Sequence, residues 1–232
     1  IGYESLLRNI TGGENVAIGL QSMQFNLSGD GNVAIGRLAL GVNTADKNTS
    51  VGWQSGATNT SGQFNSYLGY LAGAGNTTGD QNVAIGREAA YYFIGGNNTS
   101  IGAKSLFGVS AQSTGNTALG YNSGSAITTG SNNVIIGSNT GSTITTSSNN
   151  IIISDGGGNI RQSFDSNGKV FIESQYAGGR LNVKASGTNP YEGINVGSSA
   201  LDSIYAYVTH NGTQALIGSS GIQNDAAAYT PL

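Results

Sequence analysis

The chain has 232 residues, of which 38 are Gly and only 9% are charged, with a net charge of −3 and no Cys. Because Lys and Arg are few and scattered, the sequence offers no basic surface for nucleic acid or anionic lipid. It contains no apolar run long enough to predict membrane insertion, and the lack of Cys excludes disulfides and thiolate metal sites.

A short phrase, Asn-x-x-aliphatic-Gly, recurs along the first two thirds of the chain, with a period of about 17 residues. Ile1-Gly2 is a truncated first copy, and a last copy ending at Ser154 lacks the glycine. A fixed period this short predicts a solenoid whose units cannot fold alone. The complete copies carry Asn15 and Gly19, Asn32 and Gly36, Asn48 and Gly52, Asn65 and Gly69, Asn82 and Gly86, Asn98 and Gly102, Asn116 and Gly120, and Asn133 and Gly137.

Each copy predicts a short strand followed by a tight turn. The residue before the glycine is always aliphatic, and the residue two positions earlier is Val, Ile, Thr or Ser. This alternation is typical of a half-buried strand, and we expect the aliphatic residue to be the main core position. The third residue after the glycine is always Ala, Ser or Thr, which predicts a close approach of two backbones. The next residue predicts a second, weaker core position.

A polar loop rich in Asn, Thr, Ser and Gly completes each repeat, as in residues 59–62 and 76–79. We expect the recurrent Asn to stack from coil to coil and to satisfy backbone amides. The fold class predicted is all-β: a parallel β-roll or β-helix solenoid, with roughly nine coils at about 4.8 Å each. A left-handed β-helix with an aliphatic residue every six residues is less consistent with this spacing. A calcium-binding nonapeptide roll needs an aspartate in each repeat, whereas only Asp30, Asp46 and Asp80 fall in these turns.

One coil buries too little apolar surface to be stable by itself. Two or three aliphatic side chains at roughly 1.5–3 kcal/mol each hardly offset about 1–2 kcal/mol of backbone entropy for each residue of the coil. We therefore expect further burial between chains, and a homotrimer is the natural solution for a narrow rod.

The repeat stops at Asp155, and three Gly at 156–158 mark a boundary. Residues 159–172 predict a β-hairpin with its turn at Asn167-Gly168, and a second hairpin is predicted around Asn211-Gly212. The predicted organisation is a repeat β-roll at 1–154, a hairpin connector at 155–188 and a trimeric β tip at 189–232.

The phrase, repeated in register over about residues 1–154, resembles the head repeat of trimeric autotransporter adhesins (YadA-like heads) and the similar phrase of phage tail fibres. The resemblance implies a left-handed parallel β-roll in which three chains wind side by side. The length of the period and the hairpin connector favour the phage group over the adhesin heads, whose period is shorter and stricter.

The resemblance implies a tail fibre, extracellular and part of a virion, that contacts other tail or baseplate proteins. Three weak sites per fibre would bind a host surface glycan or protein receptor by multivalency. The alternatives are a bacterial trimeric surface adhesin and a tailspike that depolymerises polysaccharide.

Aromatic residues are the candidates for receptor binding. Four of them directly follow a repeat glycine, where a flat ring at an exposed corner would stack on a sugar or would cover the neighbouring coil. A second set lies in a loop and near the C-terminus. The two sets are Tyr3, Trp53, Tyr70 and Tyr121, and Tyr91, Tyr92, Tyr205 and Tyr207.

No catalytic constellation is recognisable. Asp155, Asp165 and Glu173 lie close in sequence, and Glu14 and Glu88 belong to the repeats, but we expect them to be surface or turn residues. We expect His210 to be a turn histidine. The sequence predicts no enzyme activity, no cofactor and no metal site.

Overall fold

The computed structural model describes residues 1–92, 95–108, 113–172, 206–210 and 213–217. The chain divides into two compact units, Ile1–Gly179 and Arg180–Leu232. In the described residues all regular secondary structure is β.

Nine short parallel strands form the repeat region of the first unit. Each strand pairs with the next one in the chain, in register, so that Val16 lies beside Val33 and Ile18 beside Ile35. This arrangement confirms the predicted parallel solenoid and its period. The strands are β1 Val16–Ile18, β2 Val33–Ile35, β3 Thr49–Val51, β4 Ser66–Leu68, β5 Val83–Ile85, β6 Thr99–Ile101, β7 Thr117–Leu119, β8 Val134–Ile136 and β9 Ile151–Ser154.

The middle residue of each strand points into the solenoid, and the residues on either side point out. Ala34 is fully buried, whereas Ile35, which precedes the glycine, is 37% exposed. The expectation that the aliphatic before the glycine is the main core position is therefore wrong. The reason is the buried repeat Asn: Asn32 points inward, and alternation along the strand sends Val33 out, Ala34 in and Ile35 out.

The other wall of the core comes from the third and fourth residues after the glycine. Ala39 and Leu40 are fully buried, as are Ser22 and Met23 one coil earlier. The coils pair along this wall through backbone hydrogen bonds, such as Met23 N–H to Ala39 O at 3.0 Å. The prediction of a tightly packed small residue is confirmed. The next residue is a core position as predicted but not the weaker one, because Met23 and Leu40 are among the largest fully buried side chains.

The repeat glycine is required by the contact between coils. Gly36 has φ +132°, and a Cβ at this position would overlap the backbone carbonyl of Gly52 in the next coil. In each coil from Gly2 to Gly120, three more residues lie in the left-handed region, and most of them are not Gly. In one coil these are Leu38, Leu40 and Lys47, with φ values of 57°, 47° and 58°.

The repeat asparagines form a ladder along the inside of the loop. The Oδ1 atom of Asn32 accepts the backbone N–H of Asn48 at 2.8 Å, and Nδ2 of Asn48 donates to Gly62 O at 2.8 Å. Most other coils repeat both contacts, so the predicted stacking of Asn is confirmed. A second, shorter ladder joins Asn43, Asn59 and Asn76, and Asn26 makes the same kind of contact with Asn9 in the preceding coil.

Beyond β9 the sheet continues with antiparallel strands, β10 Ile160–Phe164 and β11 Val170–Ile172. Their turn contains Gly168 at φ +77°, which confirms the predicted Asn167-Gly168 hairpin. In the second unit β12 Ala206–His210 pairs antiparallel with β13 Thr213–Ile217, which agrees with the second predicted hairpin. The three-part division at 154 and 188 stays a prediction.

Candidate interaction surfaces

The outward residues of β1 to β9 form one continuous, mostly apolar surface, here called the strand face. The strand face has two rows of residues, here called lanes. The first lane consists of the residue before each repeat glycine and of its equivalent in β9. It is aliphatic in every strand: Ile18, Ile35, Val51, Leu68, Ile85, Ile101, Leu119, Ile136 and Ile153. The second lane contains Val16, Val33, Thr49, Ser66, Val83, Thr99, Thr117, Val134 and Ile151.

The strand face contains no charged side chain and extends over roughly 40 Å at about 4.8 Å per strand. Its large side chains are well exposed; Leu68, for example, is 50% accessible. Exposed apolar patches of this size are typical of interaction sites.

The corner after each repeat glycine carries the first set of predicted receptor residues. Trp53 and Tyr70 stack face to face, with ring centroids 5.0 Å apart and planes 8° from parallel. The guanidinium of Arg37 lies 5.9 Å from the Trp53 centroid. The Trp53 and Tyr70 rings cover neighbouring coils, and each ring uses one face to stack on the other. Tyr3 and Tyr121 are instead 73% and 61% exposed.

A second aromatic cluster contains Tyr91, Tyr92 and Phe107. Tyr91 stacks on Phe107 at 5.5 Å, and Tyr92 meets both rings edge-on, at 4.4 Å from Tyr91 and 5.3 Å from Phe107. The ammonium of Lys104 lies 5.5 Å from the Phe107 centroid. The sequence reading missed Phe107, although Tyr91 and Phe107 are both the fifth residue after a repeat glycine and so stack on adjacent coils.

Two of the carboxylates considered for catalysis stabilise turns instead. Asp155 accepts hydrogen bonds from Asn159, from Gly157 N–H and from Arg161. These contacts, led by the Asn159 side chain, lower the pKa of Asp155 to about 2. The backbone N–H groups of Lys169 and Asn167 likewise lower the pKa of Asp165. Both groups are ordinary turn caps.

The remaining acidic candidates are separate from one another. Glu88 is half-buried beside Lys104 at 3.7 Å and Arg87 at 3.9 Å, and Glu14 is an exposed loop residue. Within the part of the chain that the structure describes, no three His, Asp or Glu side chains are grouped as they would be to hold a metal ion.

The C-terminal candidates are only partly placed. Tyr207 belongs to β12, and His210 ends that strand opposite Thr213. Tyr205 and Glu173 lie outside the described residues.

No family model, curated protein or solved structure matches this chain. The described residues include no helix long and apolar enough to cross a membrane.

Proposed function

We propose that this protein is a structural and adhesive fibre component that associates with copies of itself through the strand face. The observation that carries the proposal is the placement of the large aliphatic side chains. The strand residues that point inward are mostly Ala and Ser, whereas Ile, Leu and Val point outward. These outward side chains lose their contact with water only when another surface covers them.

A homotrimer is the assembly that we favour. A narrow solenoid with one flat apolar face shields that face when identical faces meet around an axis parallel to the solenoid. Three chains around such an axis cover all three faces at once, as the resemblance to adhesin heads and tail fibres implies. Closed cyclic assembly also gives a finite oligomer rather than an open filament.

In this assembly, the side chains that stay accessible to solvent would bind the receptor. The cluster of Tyr91, Tyr92 and Phe107 belongs to the wall of the solenoid across the core from the strand face. Its rings and the nearby Lys104 suit a glycan, since aromatic rings stack on sugar faces and a cation and hydroxyls bind sugar oxygens. One such cluster per chain would act by multivalency.

A phage tail fibre is the particular role that we favour, on the virion and outside the host cell. The repeat phrase and the length of its period support this proposal. Tail or baseplate proteins would then be further partners. A bacterial surface adhesin would use the same strand face, and a cell-anchoring domain on the same polypeptide would favour that alternative.

The test is the mass of the gently purified protein by light scattering, before and after boiling in detergent. We expect a mass of three chains that resists dissociation. Ile35→Ser and Ile85→Ser should reduce it, because both side chains belong to the strand face. Val42→Ser is the matched control: Val42 is also 37% exposed, like Ile35 and Ile85, but lies outside that face.

Equal loss of association in all three variants would contradict the proposal, and so would a mass of one chain for the unaltered protein. Glycan-array binding by the trimer, compared with a Tyr92→Ala variant, then tests the adhesive part separately.

A further inference from the structure

Charged residues flank the strand face on both sides and differ in sign. On the side before the strand, the residue two positions before the repeat Asn is acidic in three coils: Asp30, Asp46 and Asp80. On the side after the strand, the residue that follows the repeat glycine is Arg37 or Arg87 in two coils. We name these rows the acid lane and the base lane.

The acids and the arginines occur in matching coils. Asp30 and Arg37 flank β2, and Asp80 and Arg87 flank β5. Both Asp–Arg pairs have the same sequence separation, and all four residues are exposed. Among the described residues, neither Asp30 nor Asp80 forms an ion pair, and neither does Arg37, because the strand separates the two lanes of one chain.

The other contacts of these side chains leave them available. One carboxylate oxygen of Asp30 accepts the N–H of Gly13, and one of Asp80 accepts the N–H of Gln63. Arg87 lies 3.9 Å from Glu88, which is closer to Lys104 at 3.7 Å. Each Asp therefore retains an oxygen, and each Arg retains donors for a further partner.

We propose that neighbouring copies lie parallel and in register, with Asp30 and Asp80 of one copy beside the partner's Arg37 and the partner's Arg87. This inference rests on the proposed self-association through the strand face. Rotation about an axis parallel to the solenoid brings the acid lane of one copy to the base lane of the next at the same height. An antiparallel arrangement would instead bring acid to acid and base to base, which is repulsive.

The charges supply a register that the first lane of the strand face lacks. That lane packs almost as well after a slip of one coil, since an aliphatic side chain again meets an aliphatic side chain. The in-register arrangement forms two Asp–Arg pairs per contact, through the coils of β2 and β5. A slip by any number of coils leaves at most one, because the acids occupy the coils of β2, β3 and β5 and the arginines only those of β2 and β5. The wrong registers are thereby disfavoured.

Cysteine cross-linking tests the arrangement in a chain that has no Cys of its own. The double variant Asp30→Cys/Arg37→Cys, treated with mild oxidant or a short thiol-reactive linker, should yield covalently linked chains on a denaturing gel. Asp30→Cys/Arg87→Cys is the control for slippage, since its two sites lie three coils, about 14 Å, apart in height. Asp30→Cys/Asp80→Cys is the control for antiparallel packing.

Cross-linking in the first variant alone supports the proposal. Cross-linking in either control without the first overturns it, while a multimeric mass in the same samples leaves the proposed self-association standing. A mass of one chain for the unaltered protein overturns both.

Charge reversal provides a second measurement. Arg37→Asp should weaken association by roughly two- to fivefold for each pair lost, as expected for ion pairs at a rim. Adding Asp30→Arg to the same chain should restore it. Arg8→Asp makes the same change of charge outside the two lanes and should leave association unchanged. Failure of the double variant to recover would overturn the pairing.

Discussion

Asn76 donates a hydrogen bond of 2.7 Å from Nδ2 to the hydroxyl of Tyr67, inside the solenoid. Tyr67 occupies the middle position of β4, where other coils carry Ala, Ser or Ile. Its ring fits because Gly56 and Gly73 lie four residues after the repeat glycine, where most other coils carry Leu, Met or Ala. A Cβ on Gly56 would lie 2.7 Å from the ring. The core is thus filled because a large side chain on one wall packs against Gly on the other wall.

Gly73→Ala should destabilise the protein by about 2–4 kcal/mol, because the new methyl would overlap the Tyr67 ring and Gly73 has φ +60°, which is unfavourable for Ala. Chemical denaturation measures the loss. In a Tyr67→Ala background the same substitution should cost much less, since only the backbone term remains. An equal cost in both backgrounds would show that the ring does not set the requirement.

Tyr67→Phe should remove a pH dependence at the alkaline end. Burial raises the pKa of Tyr67 above its ordinary value of 10.0, so the folded state holds this proton more tightly than the unfolded state. Its contribution to stability is therefore complete below pH 10 and falls as the pH rises above it. Comparing the unfolding free energy of both proteins from pH 8 to 11 isolates this group from the exposed tyrosines. Parallel curves would contradict the expectation.

The sequence was sufficient for the solenoid, its period and the Asn ladder, because Asn32, Gly36 and Ala39 each satisfy a backbone or packing requirement that recurs in every coil. It misled on Ile35. An alternating pattern divides the residues of a strand between two faces but does not say which face points into the core. Here the core face is the one with Ala34, because the buried Asn32 lies on the same face. The Tyr91–Phe107 contact could also have been predicted, because both residues are the fifth after a repeat glycine and the same repeat position stacks on adjacent coils.

Asn65→Ala tests the ladder in the middle of the repeat region. Asn65 Oδ1 accepts the N–H of Asn82 at 2.9 Å, and Nδ2 donates to Gly79 O at 2.9 Å, both in the interior. The substitution leaves both partners unsatisfied and should cost about 2–4 kcal/mol of unfolding free energy. Ser66→Ala, the next residue, points outward and should change stability by less than about 0.5 kcal/mol. Similar effects of the two would argue against the ladder as a source of stability.

Lys47 offers a chance to stabilise the fold. It has φ +58°, a conformation that costs a non-Gly residue about 1–2 kcal/mol, and Gly31 has φ +63° at the equivalent position one coil earlier. Lys47→Gly relieves this strain, but Gly also gives the unfolded chain more entropy to lose on folding. We therefore expect the free energy of unfolding to rise by a net amount of about 0.5–1 kcal/mol. Lys47→Val should lose stability, because a β-branched residue is poorly suited to φ > 0. Thermal melts of both variants measure these changes in stability. A lower stability of Lys47→Gly would show that the Lys47 side chain stabilises the fold by more than its backbone strain costs.

Asp155 should make the end of the repeat region sensitive to acid. Its pKa is lowered to about 2 from 3.8, chiefly by the Asn159 side chain, so the folded state favours the charged carboxylate. The contribution is present above pH 3.8 and is lost as the pH falls toward 2, where the folded form also takes up the proton. Asp155→Asn keeps the shape but not the charge, so the difference in unfolding midpoint between the two proteins should be largest near neutral pH and shrink toward pH 2. Denaturant titrations at several acidic pH values measure it. A constant difference would mean that Asp155 acts through its shape, whereas a shrinking one assigns the effect to the carboxylate that holds the turn between β9 and β10.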